Sequence, residues 1–464
     1  MGNAKKRSGS VASMLPVLLA CSFTASFGQS MMNVALPELA ERFGVTLSIA
    51  NWVIVGYMVV AATAIMLSAF MLRRLGLRRV FFVGAGALAL GSACALLSQD
   101  FPMLFASRLV QAVGTGLFFP SVTSVIMTNS PAAVRGTRLA LNSGVIAVGL
   151  AISPTASGFA LTQFGWRAMF VVSLAMSVAL LAVGFFRIHG GPSTKRVPID
   201  ALSVMLGPLG LAAFLYGLGE VTRDLAPSLA ALAVGAVLLA LFAWRQFALE
   251  SPLLDLHPLV HPRFAVGILL VMVGMLTSFS MSILLPLYYE GALGYTAFFA
   301  GLLLLGPVLV NAAFTFLGGR VFDRHGAWPL IPAGLVLVLV GQAAAFFSAE
   351  SMIAILIVLS SAAVYAGAGF VVAPSKTAAL GTLPPATYSA GASINSTAAQ
   401  IASLFVGVLS ADVLRDTAAG AAKASAYAAA FEHTLSIAVV IAAAGLLVAF
   451  FYARAMRKPA GKQR

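Results

Sequence analysis

The sequence predicts an all-α, polytopic membrane protein of about fourteen transmembrane helices, and three observations carry that prediction. Hydrophobic residues make up 60% of the 464 residues and charged ones only 9%, against about 25% charged in soluble chains. Apolar stretches such as 139–161 and 433–455 run almost without charge, over the roughly 20 residues that one helical crossing needs. The basic residues gather in alternate loops, the pattern that orients helices in a bilayer.

Taken in order, apolar windows place helices at roughly 12–35, 49–71, 79–97, 102–127, 139–161, 167–187, 201–219, 228–245, 264–290, 296–317, 328–348, 352–372, 388–412 and 433–455. The seventh and eighth are short. No linker is long enough to form a soluble domain. Strict alternation over about 10 residues, the mark of a membrane barrel strand, is absent.

Charge sets the expected orientation. With the N-terminus inside, about 22 of the Lys and Arg residues fall in inside loops and about 5 in outside ones. The inside clusters include Lys5-Lys6-Arg7, Arg73-Arg74, Arg78-Arg79, Arg135 with Arg138, and the tail from Arg454. An even helix count returns that tail to the same side, so both termini are expected in the cytoplasm of a plasma (inner) membrane. The net charge of +14 is thus a topology signal. It is spread over many loops, without the contiguous basic face that nucleic acid requires.

The remaining function classes fall quickly. Cys21 and Cys94 lie inside apolar helices and read as small core residues. Lys5-Lys6-Arg7 followed by 18-LLAC-21 has the outline of a lipoprotein signal, but the apolar run continues past Cys21, as a first transmembrane helix would. There is no phosphate-binding glycine loop, no zinc motif and no repeated selectivity filter. Neither a cofactor nor a metal is expected, and an enzyme is not.

One internal echo organises the chain. The stretch 69-AFMLRRLGLRRVF-81 follows the second helix, and 318-GGRVFDRHGAWPL-330 follows the tenth. Each reads as a basic inside loop, and their later glycines, Gly76 and Gly326, lie about 250 residues apart, as two structural halves would place them. The expected division is a six-helix bundle at 1–190, a two-helix insert with linker at 191–260 and a second six-helix bundle at 261–464.

The chain resembles the major facilitator superfamily, and within it the fourteen-helix drug:proton antiporters. The residues that carry the resemblance are 33-NVALP-37, Trp52 and Tyr57 in 51-NWVIVGYMV-59, 108-RLVQAVGTG-116, 149-GLAISPTASG-158, 165-GWRAMF-170, 286-PLYYEGALGY-295 and 319-GRVFDRHG-326. The resemblance implies two bundles rocking about a central cavity, a small-molecule substrate, possible proton coupling, and export of hydrophobic or amphipathic drugs; a monomer is the expected state, although the sequence does not fix it. A lipid or metabolite exporter of the same fold is the alternative, and a transport-dead sensor or assembly partner is a second.

Each motif has its own physical reading. Arg108 is the one strongly basic residue placed well inside a predicted helix, a costly position that marks function by default; the competing reading is an arginine snorkelling to the outer interface. Gln111 lies three residues on, on about the same face, and Gly114 and Gly116 admit a neighbouring helix. Gly149, Ser153 and Ser157 form a small-residue stripe, Pro154 favours a kink, and Gly158 closes the motif. In 319–326, Gly319 and Gly326 permit close approach and a tight turn. Asp323 can accept hydrogen bonds from Arg324, Arg320 or a helix N-terminus, forming a latch. The first-half copy has Ala69 and Arg73 where the family has Gly and Asp, so that latch is not expected there.

The first helix departs from the family. In 27-FGQSMMNVALP-37, Gly28 and Gln29 stand where an acid is common. Gln29 and Asn33 are spaced to share a helix face and bind polar or cationic solutes. No Asp or Glu lies mid-helix in the first six helices, so proton uptake is expected from the second half. Glu290, after Tyr288 and Tyr289, is the choice on the expectation that it is buried beside them; Glu220, Asp412 and Glu432 read as loop acids. Asn311, Asn395 and Gln400 read either as helix–helix hydrogen bonds or as pore contacts.

Overall fold

The computed structural model describes residues 2–188, 200–221, 224–250, 252–328, 330–349, 351–417 and 423–455. The elements are α1 (Gly2–Ser30), α2 (Leu36–Phe43), α3 (Leu47–Leu75), α4 (Leu77–Leu96), α5 (Phe101–Asn129), α6 (Arg135–Phe164), α7 (Arg167–Arg187), α8 (Ala201–Glu220), α9 (Leu225–Ala248), α10 (Pro262–Gly291), α11 (Ala297–His325), α12 (Leu330–Ala349), α13 (Ala354–Gly381), α14 (Tyr388–Thr417) and α15 (Lys423–Ala455). Twelve of these, among the described residues, are long and apolar enough to cross a membrane, and Met14–Ser30 is a shorter apolar helix. There is no strand among the described residues.

The helix order follows the hydropathy windows, with three differences that matter. α1 stops at Ser30, a 3₁₀ turn spans Met31–Val34, and the short α2 follows with Pro37 in its first turn, where its missing N–H costs nothing. Asn33 therefore lies in the turn and does not continue the helix face of Gln29. α11 runs on to His325, so 319–325 is the last part of a helix and not a loop. Its final turn carries Arg324 and His325, cations that suit a helix C-terminus, and Gly326 stops it at φ +80°. α13 extends nine residues past its expected end, to Gly381, which places Lys376 inside a helix.

The second half repeats the first in backbone detail. Thr46 caps α3 by accepting from Ile49 N, and Thr296 caps α11 by accepting from Phe299 N. Gly76 and Gly326 end these helices at φ +79° and +80°. These turns need glycine, because an L side chain is strained there.

Glycine also sets the packing around α5. A Cβ at Gly114 would strike Gly84 O of α4, and one at Gly116 would strike Ala61 O of α3. The backbones meet because nothing larger intervenes, as the motif predicts. α8 and α9 pack as a pair, tied at one end by a two-pronged ion pair: Arg245 donates to Asp200 through Nε (2.7 Å) and Nη2 (2.8 Å). That pairing and Ser203 hold the Asp200 carboxyl well below the usual carboxylate range. Gln246 donates to Ser203 Oγ and accepts from Leu254 N, so the linker after α9 lies against the pair.

Candidate functional site

The first cluster centres on Arg108, about two turns into α5. It is 0% exposed, so the snorkelling reading does not hold. Nη1 donates to Gly28 O of α1 (3.0 Å) and to Gln111 Oε1 (2.7 Å). The guanidinium lies over the Tyr57 ring of α3, 4.1 Å from its centroid, a distance at which the ring quadrupole attracts the cation. The Tyr57 hydroxyl shares a 2.6 Å hydrogen bond with Thr115. Gln111 Nε2 donates to Ser92 Oγ (2.7 Å), which sits 3.0 Å from Ser173 Oγ. One polar chain thus joins α1, α3, α4, α5 and α7. No carboxylate pairs with Arg108 among the described residues.

The α6 stripe faces α1. A Cβ at Gly149 would strike Ser26 Oγ, and Ser153 Oγ donates to Phe27 O (2.6 Å). Ser157 is buried on the same side. Gly158 has nothing within 4 Å of an added Cβ, so it takes no part in close packing. Pro154 lies inside α6, next to this seam.

The second cluster joins α6 to α11 at the end of the molecule that carries the arginines. Asp323 accepts from Gly136 N (2.8 Å), Thr137 N (2.8 Å) and Thr137 Oγ1 (2.6 Å). Those amides are the unpaired donors of the first turn of α6, where the helix dipole also favours a carboxylate. Of the partners expected for Asp323, the helix N-terminus is the one it takes. Arg324 is exposed, and Arg320 lies over Phe316, 4.2 Å from its centroid. Gly319 makes the contact possible: a Cβ there would strike Ala140 and sit 2.7 Å from Gly136 O.

Two further ties cross between the halves at this end. Ser68 and Ser393 hydroxyls are 2.9 Å apart, and Arg135 donates to the Tyr388 hydroxyl (3.3 Å) while lying over its ring. Arg73 donates to Pro252 O (2.6 Å). The first-half copy of the latch is therefore turned toward the linker after α9.

Other expected residues do not gather at one point. Gln29 Nε2 reaches Gln400 Oε1 at 3.5 Å, linking α1 to α14. The side chain of Asn33 lies outside the described residues. Trp52 is 42% exposed and stacks on Tyr216 of α8, 6.1 Å between centroids, so it belongs to the contact with the α8–α9 pair rather than to the Arg108 cluster. Tyr288 and Tyr289 are buried, and Tyr288 donates to Ala349 O (2.6 Å). Glu290 is exposed in the last turn of α10; the helix turns it away from both tyrosines, and the burial expected for it is not found. Asn311 makes a helix–helix hydrogen bond to Tyr365 O (2.7 Å). Asp412 and Glu432 lie within α14 and α15 and not in loops, and Glu220 ends α8. The side chains of Glu220 and Asp412 lie outside the described residues.

Lys376 was not anticipated. It is 6% exposed within α13, and it makes no ion pair among the described residues. The signal was available: 369-GFVVAPSKTAAL-380 is apolar on both sides of the lysine, but the expected helix ends at 372, short of it.

Long apolar helices in two repeating sets, held together at one end by polar contacts that bridge the sets, define a membrane transporter. The Major Facilitator Superfamily model matches residues 18–407, and the chain belongs to that family. It is 30% identical to Lincomycin resistance protein LmrB of Listeria monocytogenes over 94% of this chain and 96% of that protein. It is 31% identical to the Bacillus subtilis protein of the same name, over 95% of each. Its fold matches the crystal structure of the human organic anion transporter MFSD10 (TETRAN) with a TM-score of 0.67 at 14% identity, over 94% of this chain and 99% of that one. The family is one of transporters, not enzymes.

Proposed function

We propose that this transporter exports hydrophobic or amphipathic small molecules, drugs among them, by alternating access. The observation that carries the reading is the seal at the arginine-rich end, where Asp323 holds the N-terminus of α6. Such a contact closes one face of the molecule and must break for that face to open. The names of the LmrB relatives support drugs as the substrate class. The intact seal speaks against a transport-dead partner.

In this reading residues 1–190 and 261–464 are the moving bundles, and 191–260 is an insert. The arginine-rich end faces the cytoplasm of the plasma membrane, with both termini there, fourteen crossings and a monomeric protein. Two single-cysteine variants test this arrangement, at Arg196 and at Arg223, which lie outside the described residues. An impermeant maleimide added outside cells should label position 223 and spare position 196. Labelling at 196, or none at 223, removes the insert topology.

Proton coupling needs a titratable group whose surroundings differ between the two open states. The second half offers Glu290, exposed at the end of α10, and Lys376, buried in α13. In proteoliposomes with an imposed pH gradient and a drug panel, the wild type should accumulate substrate against its gradient. Either Glu290→Gln or Lys376→Met should abolish that accumulation and leave downhill exchange. If both variants respond as wild type, the proton is carried elsewhere. If the wild type moves no drug, the export reading fails.

A further inference from the structure

We propose that Arg108 is the receptor for a carboxylate carried by the transported molecule, so that amphipathic organic acids are a favoured substrate class. The inference rests on the export reading proposed above, and it adds the chemistry of the ligand.

The geometry of the guanidinium is the first ground. Nη1 has both of its partners, Gly28 O and Gln111 Oε1. Nε and Nη2 are buried with no hydrogen-bond partner among the described residues. These two nitrogens form one edge of the plane, and their N–H bonds run parallel. That edge is the one whose spacing matches the two oxygens of a carboxylate. The protein therefore satisfies one corner of the group and leaves its bidentate fork unused.

Charge is the second ground. A cation fully enclosed among transmembrane helices normally has a counter-charge or a full set of acceptors. Arg108 has two neutral acceptors and an aromatic face, and no carboxylate pairs with it among the described residues. α1, which lies against it, carries no Asp or Glu at all.

Space is the third. A Cβ at Gly28 would meet nothing nearer than the Tyr57 hydroxyl, at 3.7 Å. Most other helical glycines of the first half are pinned against a neighbour, as Gly91, Gly114, Gly116 and Gly149 are. Gly28 is buried and holds Nη1 through its carbonyl; a Cβ there would be in ordinary contact with the Tyr57 hydroxyl, so one added side-chain atom is taken without a clash. The unused fork is closed to solvent in this structure, so a ligand reaches it when α1 draws away from α5. The ties that must loosen are few: the Arg108 bond to Gly28 O and a long 3.4 Å bond from Thr115 to Ala25 O.

The test uses the full-length protein in proteoliposomes with three probes: N-dansyl-leucine, its methyl ester and ethidium. The acid and the ester differ only in the charge that the fork would read. The wild type should bind and export the acid at least about tenfold better than the ester, the scale of one charge-assisted bidentate contact. Gly28→Asp supplies a carboxylate within reach of the same fork and should erase that preference. Gly28→Asn, of the same size but neutral, should keep the acid ahead of the ester, which separates charge from bulk. Should Gly28→Asp fail to fold, the acid-to-ester ratio of the wild type still decides. If ethidium is exported while acid and ester are treated alike, the carboxylate receptor is overturned and the export reading stands. If the acid is neither bound nor exported and ethidium is not moved either, both fall.

Discussion

Arg108→Ala should abolish transport, by more than about a hundredfold, in a protein that still inserts and folds. The basis is the arrangement around a fully buried cation: its loss leaves Gly28 O and Gln111 Oε1 without their shared donor, removes the charge over Tyr57 and breaks the polar chain that runs to Ser92 and Ser173. Each orphaned buried acceptor costs about 1–3 kcal/mol. That sum lowers the melting temperature measurably without unfolding a protein of this size. Arg108→Lys should also be poor, with at least about a tenfold loss. An ammonium is a point charge and cannot reproduce a planar fork that bonds in one direction while lying on a ring in another. Transport by proteoliposomes, read beside a fluorescence size-exclusion profile, checks both. Wild-type rates in either variant would leave Arg108 as a packing residue.

Asp323→Asn should slow turnover by about tenfold or more and change substrate affinity far less. The carboxylate accepts three hydrogen bonds from the first turn of α6. An amide keeps one acceptor oxygen, turns a donor toward a helix N-terminus that already presents donors, and loses the charge. Charge-assisted bonds contribute about 1.5–3 kcal/mol each relative to a lost partner. Losing one, with the dipole interaction of up to about 1 kcal/mol, shifts the closed–open equilibrium by roughly one to three powers of ten. A cysteine pair replacing Ser68 and Ser393, whose hydroxyls meet at 2.9 Å, reports that equilibrium directly. Cross-linking should be ready in the parent and sparse with Asp323→Asn, in a background where Cys21 and Cys94 are replaced. Equal cross-linking in both, or lost binding with unchanged turnover, would remove Asp323 from the gate.

How much of this was legible in the sequence depends on the length scale of each signal. Helix order came from windows of about 20 apolar residues, which average over many side chains and survive single exceptions. Arg108 stood out for the same reason: one charge against a long apolar background. Asp323 was legible as a latch, but its partner was not. Gly136 and Thr137 lie far away in the chain, and nothing local in 319-GRVFDRHG-326 says that α6 begins where Asp323 ends. Gln29 and Asn33 show the limit of spacing arguments: they are four apart, yet α1 stops at Ser30 and Asn33 lies in the 3₁₀ turn that follows. Glu290 shows the same limit in reverse. Adjacent residues on a helix differ by about 100° in direction, so Tyr289 can be enclosed while its neighbour is exposed. Lys376 was missed because the apolar window ends at 372, whereas α13 continues through Pro374 and Ser375 to Gly381.

The tie between Arg73 and Pro252 bears on whether the middle of this chain is a detachable module. α8 and α9 look like an appendage in any diagram of the helices, and an engineer seeking a smaller exporter would cut there first. Yet the segment after α9 supplies the carbonyl that Arg73 grips, and Tyr216 covers Trp52 on the flank of α3. Joining Ile188 directly to Pro262 would take both away, in a bundle whose own turn at that end has arginine where an acid would be needed to seal it. A minimal version of this protein would therefore have to change Arg73 along with the deletion, since the removed pair is part of the floor on which the first bundle rests.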